Sequence, residues 1–196
     1  MIGNVLDYVV SDLNRYLLTQ QGLSKDERKA VLSYIVDPSG SMAPTEQNVV
    51  LATLVDLSPD TIAYGQRFEP NKAGGVTQSI DGNSLHLNLM VLFSAYFQAD
   101  RARDSLNFLT LVIQFFQSKS VFDHQNSPGL PDSVEKLVFS MEPLDFHAQS
   151  HLWGILGAKY MPSVVYKVRM VSFFNNDKSE FTPPISVIGM NNDIKS

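Results

Sequence analysis

His147 and His151 stand four residues apart in a stretch whose pattern predicts a helix, a spacing that can bring two imidazoles onto one divalent metal. Ala148 follows His147 where a metalloprotease-type helix carries its glutamate base, and no third ligand stands nearby, so surface or packing histidines are the better reading. His86 and His124 can be matched on paper with many serines and aspartates. No spacing selects a partner set, and no G-x-S-x-G elbow occurs to strain a serine into a nucleophile. Glu27, Glu46, Glu69 and Glu142 sit beside turns or charged neighbours, where solvation explains them without acid–base work. Gly74-Gly75 lies between Ala73 and Val76, without the Lys-Ser/Thr ending that seats phosphate and magnesium. Trp153, close to Gly154 and Gly157, could line a pocket, but an indole on the apolar stripe of a helix is usually core. The residues therefore predict no catalytic, cofactor-binding or metal-binding set, and no cofactor.

The elements that must position these residues belong to a chain of 196 residues with 44% hydrophobic content, enough for one compact domain around a single core. Charged residues make up 18%, below the roughly 25% of an average soluble domain, which suits either a surface covered by partners or a weakly charged monomer. A net charge of -5 without clustered Lys and Arg argues against tracking a nucleic-acid backbone. With no cysteine, a disulfide framework or thiolate metal site is impossible, as fits a reducing compartment. Neither a secretory signal nor an apolar run of ~20 residues is visible, so the expectation is cytoplasmic assembly without a membrane span.

Apolar residues Ile2, Val5, Leu6, Val9, Leu13, Tyr16 and Leu17 recur at helical spacing, predicting an amphipathic helix over 2–21 closed by Gly22. Strands are predicted over 30–36 and 48–57, the second apolar on both faces. Pro59, Pro70, Gly74, Gly75 and Gly82 then predict a mobile loop or protrusion over 58–82. A long core strand over 84–97 precedes a helix capped by Asp100 and reaching about Ser118, with Leu106, Leu109, Val112, Ile113 and Phe116 inward. Pro128, Gly129 and Pro131 impose a rigid loop before a strand over 134–141. Asp145 opens a helix in which Phe146, Leu152, Trp153 and Leu156 can pack, and Gly157 stops it. Alternation of Val164, Tyr166, Val168 and Met170 with Lys167 and Arg169 gives a half-exposed last strand. The order predicts a single-domain α+β fold: a mainly antiparallel or mixed sheet with helices covering one face.

Three segments carry a resemblance: His86-Leu-Asn-Leu-Met-Val-Leu-Phe-Ser-Ala-Tyr-Phe97, Phe108-Leu-Thr-Leu-Val-Ile-Gln-Phe-Phe-Gln117 running into Val121-Phe-Asp-His-Gln-Asn-Ser-Pro128, and His151-Leu-Trp-Gly-Ile-Leu-Gly-Ala-Lys-Tyr-Met-Pro-Ser-Val-Val-Tyr-Lys-Val-Arg-Met170. In that order and spacing, the chain resembles the N-terminal domain of the cap proteins of extracellular contractile injection systems, the antifeeding-prophage type of phage-tail-like particle. The resemblance implies a tail-terminator-like fold and a bacterial, non-enzymatic structural subunit. It implies a ring, expected to be sixfold, that ends the inner tube away from the baseplate and helps terminate or anchor the sheath. Its partners would be further copies of itself, the inner tube protein and the sheath protein. The shared domain would span 1–174, leaving 175–196 as a tail.

Within that frame, 121–131 is the first-choice contact loop, because a rigid turn carries Phe122, His124, Gln125, Asn126 and Pro128; capping of the next element could equally explain these residues. In the tail, Pro183-Pro184 leads into a strand-like run containing Ile185, Val187, Ile188 and Met190. That run could add to a sheet edge of a neighbouring subunit or of the sheath, or form the last edge strand of its own sheet. Competing readings are a small-molecule-binding or hydrolytic α+β domain, which needs a concave pocket with convergent titratable groups, and a transient assembly chaperone.

Overall fold

The structure, a computed structural model, describes residues 1–21, 29–60, 67–70, 76–79 and 84–173. Helix α1 (Ile2–Gln21) opens the chain. It is followed by β1 (Ala30–Leu32), β2 (Val49–Pro59), β3 (Arg67–Pro70), β4 (Val76–Ser79) and β5 (Ser84–Tyr96). Then come α2 (Ala102–Ser118), β6 (Val121–Asp123), β7 (Val134–Glu142), α3 (Phe146–Ile155) and β8 (Ser163–Phe173). Six strands form one sheet in the order β1-β2-β5-β8-β7-β6. Neighbours pair antiparallel except β1 and β2, which run parallel, so the sheet is mixed.

The period-2 pattern decides what each strand offers to each face. On one face Val50, Ala52, Leu89, Val91, Phe93, Leu137, Phe139, Tyr166, Val168 and Met170 meet the apolar stripes of α1 and α2. An aromatic nest fills the centre: Phe116 stacks on Phe139 with ring centroids 4.5 Å apart and meets Tyr166 at 4.6 Å. The other face has a smaller core, where Ile35, Val49, Leu51, Leu92 and Val165 surround Trp153 of α3. The two long helices thus cover one face as expected, while the short α3 lies on the opposite one. Strands β2 and β5 are apolar on both faces because both of their faces are roofed.

Several boundaries differ from the sequence expectation. Gly22 lies outside the described residues. Asp100 does not cap α2; it sits in a 3-10 turn (Ala99–Arg101) leading into the helix, whose N-cap is Arg101 without a side-chain hydrogen bond. The inward stripe of α2 is Phe108, Leu109, Val112, Phe115 and Phe116, while Leu106 is exposed. Two apolar stripes were available on this helix, and the sheet takes the one carrying the larger aromatic surface. Within 58–82, β2 continues to Pro59 and β3 pairs antiparallel with β4. Pro59 and Pro70 end strands and Gly74-Gly75 falls between β3 and β4, so these residues punctuate a strand pair instead of abolishing it.

Edge strand β1 is held by a side chain of α1. Asn14 accepts the backbone N–H groups of Lys29 and Ala30 at 2.8 Å each and donates to the Ala30 carbonyl at 2.7 Å. One amide satisfies backbone groups that would otherwise invite a foreign strand.

Candidate functional site

Residues 121–131 form a locked turn. Phe122, expected at an interface, is fully buried, with its ring against Phe115 and Phe139. It offers no side-chain surface to a partner, because alternation along β6 points it into the aromatic nest. Asp123 accepts the N–H groups of Gln125 and Asn126 at 3.0 Å each, an Asx-type turn. The Asn126 side chain donates to the Val121 carbonyl at 3.0 Å, and its Oδ1 accepts from the Ser127 hydroxyl at 2.7 Å. His124 donates from Nε2 to the Val134 carbonyl at 2.9 Å, which assigns its tautomer. These polar groups build the loop, leaving Gln125 and Pro128 as exposed positions without a side-chain hydrogen bond among the described residues.

Two further residues fix this loop to α1. Lys119, just past α2, donates to Asp12 at 2.7 Å and to the Asn126 carbonyl at 3.3 Å, and lies 4.5 Å above the Phe122 ring centroid. Its signal in the sequence is a cation at the C-terminal end of a helix. Gly129 abuts Tyr8 of α1: a Cβ there would stand 2.7 Å from Tyr8 Cε2. Ile185, Val187, Ile188 and Met190, and the whole of 175–196, lie outside the described residues.

Helix α3 has the caps expected of it: Asp145 accepts the Ala148 N–H at 2.7 Å, and Gly157 ends the element at φ +65°. Trp153 is buried and meets Tyr160 edge-on, with centroids 5.7 Å apart. Phe146 departs from the expectation that it packs. At 3.6 residues per turn, seven positions bring it back to nearly the azimuth of Trp153, yet it is 92% exposed. The inner row of α3 therefore overhangs the smaller core, with Trp153 seated and Phe146 beyond its edge. Ile155, on the outer side, is 85% exposed, and Tyr160 just after the helix is exposed as well. The outer side of α3 thus presents Ile155 beside the polar His147 and His151, all of them exposed.

Two open concave surfaces lie among the described residues. A groove of about 330 Å³ runs between the ends of α1 and α2, lined by Asp12, Arg15, Tyr16, Thr19, Phe115, Ser118 and Lys119. A hollow of about 180 Å³ lies beside β1, lined by Val31, Ser33, Ala43, Pro44, Thr45, Glu46 and Val49. Among the described residues, the two titratable groups that depart clearly from their ordinary values, Asp37 and Tyr166, lie in neither. Hydrogen bonds from Ser39, Ser41 and nearby backbone hold Asp37 below the usual carboxylate range, and burial pushes Tyr166 up to about 12. Among the described residues no group of three His, Cys, Asp or Glu side chains converges to hold a metal. Nor, among them, is any helix long and apolar enough to cross a membrane.

A family model described as the Pvc16 N-terminal domain matches residues 5–187. Among solved structures, the chain is similar to one in a cryo-EM structure of an extracellular contractile injection system, the PVC sheath/tube terminator in its extended state. The TM-score is 0.57 and the identity 15%, over 100% of this chain and 64% of that one. It is also similar to a chain in a cryo-EM structure of the anti-feeding prophage tube-terminating cap, at TM-score 0.49 and 15% identity, over 93% of this chain and 60% of that one. The chain thus spans less than two thirds of the length of either. No curated protein matches. At 15% identity the first similarity establishes a tube-terminator-like fold.

Proposed function

This chain belongs to the Pvc16 N-terminal domain family, which matches it over residues 5–187, and from that premise we propose that it is a structural cap subunit. Copies of it, six in the expected ring, terminate the inner tube of a bacterial contractile injection particle and help terminate or anchor its sheath. Assembly takes place in the cytoplasm, with the tube and sheath proteins as partners, and the role is non-enzymatic.

The observation that carries the reading is the uncovered apolar surface of α3. Phe146 and Ile155 are the most exposed large hydrophobic side chains among the described residues, on a short helix whose inner row is half seated. A ring neighbour or the tube covers such a surface, and stacking on one face without presenting a matching surface on the other ends growth by asymmetric complementarity. Gln125 and Pro128 provide a second contact on the rigid loop, one polar and one apolar. Residues 175–196 act as an assembly arm appended to the domain at 1–174, with Ile185, Val187, Ile188 and Met190 adding a strand to an edge on another subunit.

The test is electron microscopy of purified particles carrying a tagged copy of this chain. A ring at one tube end with the symmetry of the tube supports the proposal. A chain bound along the tube, or missing from mature particles as an assembly chaperone would be, overturns it. Phe146→Ser should leave the isolated domain folded while lowering occupancy of the tube end.

A further inference from the structure

The histidine pair on α3 has a geometry that its spacing alone could not supply. His147 and His151 are both exposed, and their ring centroids lie 4.2 Å apart at an interplanar angle of 39°. On a helix of 3.6 residues per turn they stand about 120° and 160° round from Trp153, on the side turned away from the sheet. Packing is therefore excluded as their role in the isolated domain. The helix beneath them is fixed at three points: the Asp145 cap, the seated Trp153 and the Gly157 stop. Its rigidity holds the two Cα positions one turn apart, so that only the side-chain torsions remain to be ordered on binding.

Two imidazole nitrogens bound to one ion at about 2.0–2.1 Å place their ring centres roughly 4.5–5 Å apart, close to the 4.2 Å separation of this pair. We propose that His147 and His151 form a two-imidazole clamp for a divalent transition-metal ion of the Zn, Ni or Cu type. Imidazole suits these ions, whereas Mg and Ca prefer oxygen ligands. With two protein ligands the remaining positions are held by water or by a donor on whatever covers α3. The clamp is neither a catalytic centre nor a structural zinc site. It stands on the geometry of α3 and is independent of the cap assignment.

The experiment uses the full untagged chain titrated with CuCl2 and, in parallel, with ZnCl2 by calorimetry. Trp153 is the chain's sole tryptophan, so copper held on α3 quenches the protein's whole indole emission. Expected are one ion per chain, quenching reversed by EDTA, and a loss of affinity of about tenfold or more in His147→Ala and in His151→Ala, since each converts a chelate into a single contact. His124→Ala, which alters an exposed histidine far along the chain, should leave the affinity unchanged. Apo emission and far-UV circular dichroism of all variants should match the parent. Retained affinity in either α3 variant, an equal loss in His124→Ala, or no binding by the parent would each overturn the clamp.

Discussion

Trp153 and Phe146 occupy one row of one helix, yet the structure assigns them opposite energetic roles, and alanine at each position separates the two. A buried Trp removes about 150–250 Å² from water, so at about 25 cal/mol per Å² the indole of Trp153 contributes about 4–6 kcal/mol. Its Nε1 is buried without a hydrogen-bond partner in the structure, and relief of that unmet donor returns about 1–3 kcal/mol. The expected net loss for Trp153→Ala is about 3 kcal/mol, at the lower end of the range for large aromatic truncations. Phe146, at 92% exposure, loses almost no buried area, and Phe146→Ala should stay within about 0.5 kcal/mol of the parent. Urea unfolding of the isolated chain, followed by far-UV circular dichroism so that loss of the tryptophan does not matter, measures both. A Phe146→Ala loss comparable to that of Trp153→Ala would mean that Phe146 is covered in the monomer. A Trp153→Ala loss under about 1 kcal/mol would mean that the smaller core does not pin α3. Either result refutes the overhang on which the assembly argument rests.

Other outcomes follow from particular contacts. Gly129→Ala sets a Cβ 2.7 Å from the edge of the Tyr8 ring, so that ring must shift, and denaturant unfolding should register a loss of no more than about 1 kcal/mol. Burial raises Tyr166 from 10.0 to about 12, so the folded state holds its proton more tightly than the unfolded state. Its contribution is complete below pH 10 and falls as pH rises from 10 towards 12. Stability measured across that window should lose this component in Tyr166→Phe. His124→Ala, which removes the bond to the Val134 carbonyl, should cost about 1 kcal/mol in thermal unfolding. Gln125→Ala should leave the melting temperature unchanged while reducing capping in particle assembly. Deleting residues 177–196 should leave a cooperatively melting domain that no longer controls tube length; aggregation or a large drop in melting temperature would assign the tail to the domain's own sheet.

Local chemistry was legible from the residues themselves. The 3.6 period over Ile2–Gln21 gives a helix with the same bounds in the structure, and Asp145 and Gly157 mark the ends of α3 because capping depends on groups within one turn. The alternation in β5 and β8 likewise separates the two faces of the central strands. Such signals are local, so sequence alone determines them. The family resemblance was equally visible, since it rests on the order of short segments.

What sequence could not decide is which of several acceptable surfaces meets which. Leu106 and Phe108 both suit the buried stripe of α2, and only the position of the sheet selects Phe108. Phe146 has every local reason to pack and lies exposed because the smaller core ends beneath Trp153. Phe122 and Asn126 look alike as loop residues, yet β6 pairing buries the one while the turn consumes the amide of the other. The bond between Lys119 and Asp12 spans 107 positions of chain, a distance no local pattern can encode. Periodicity fixes what each element can present, but burial is a property of two surfaces at once, and the second surface is supplied by the tertiary structure.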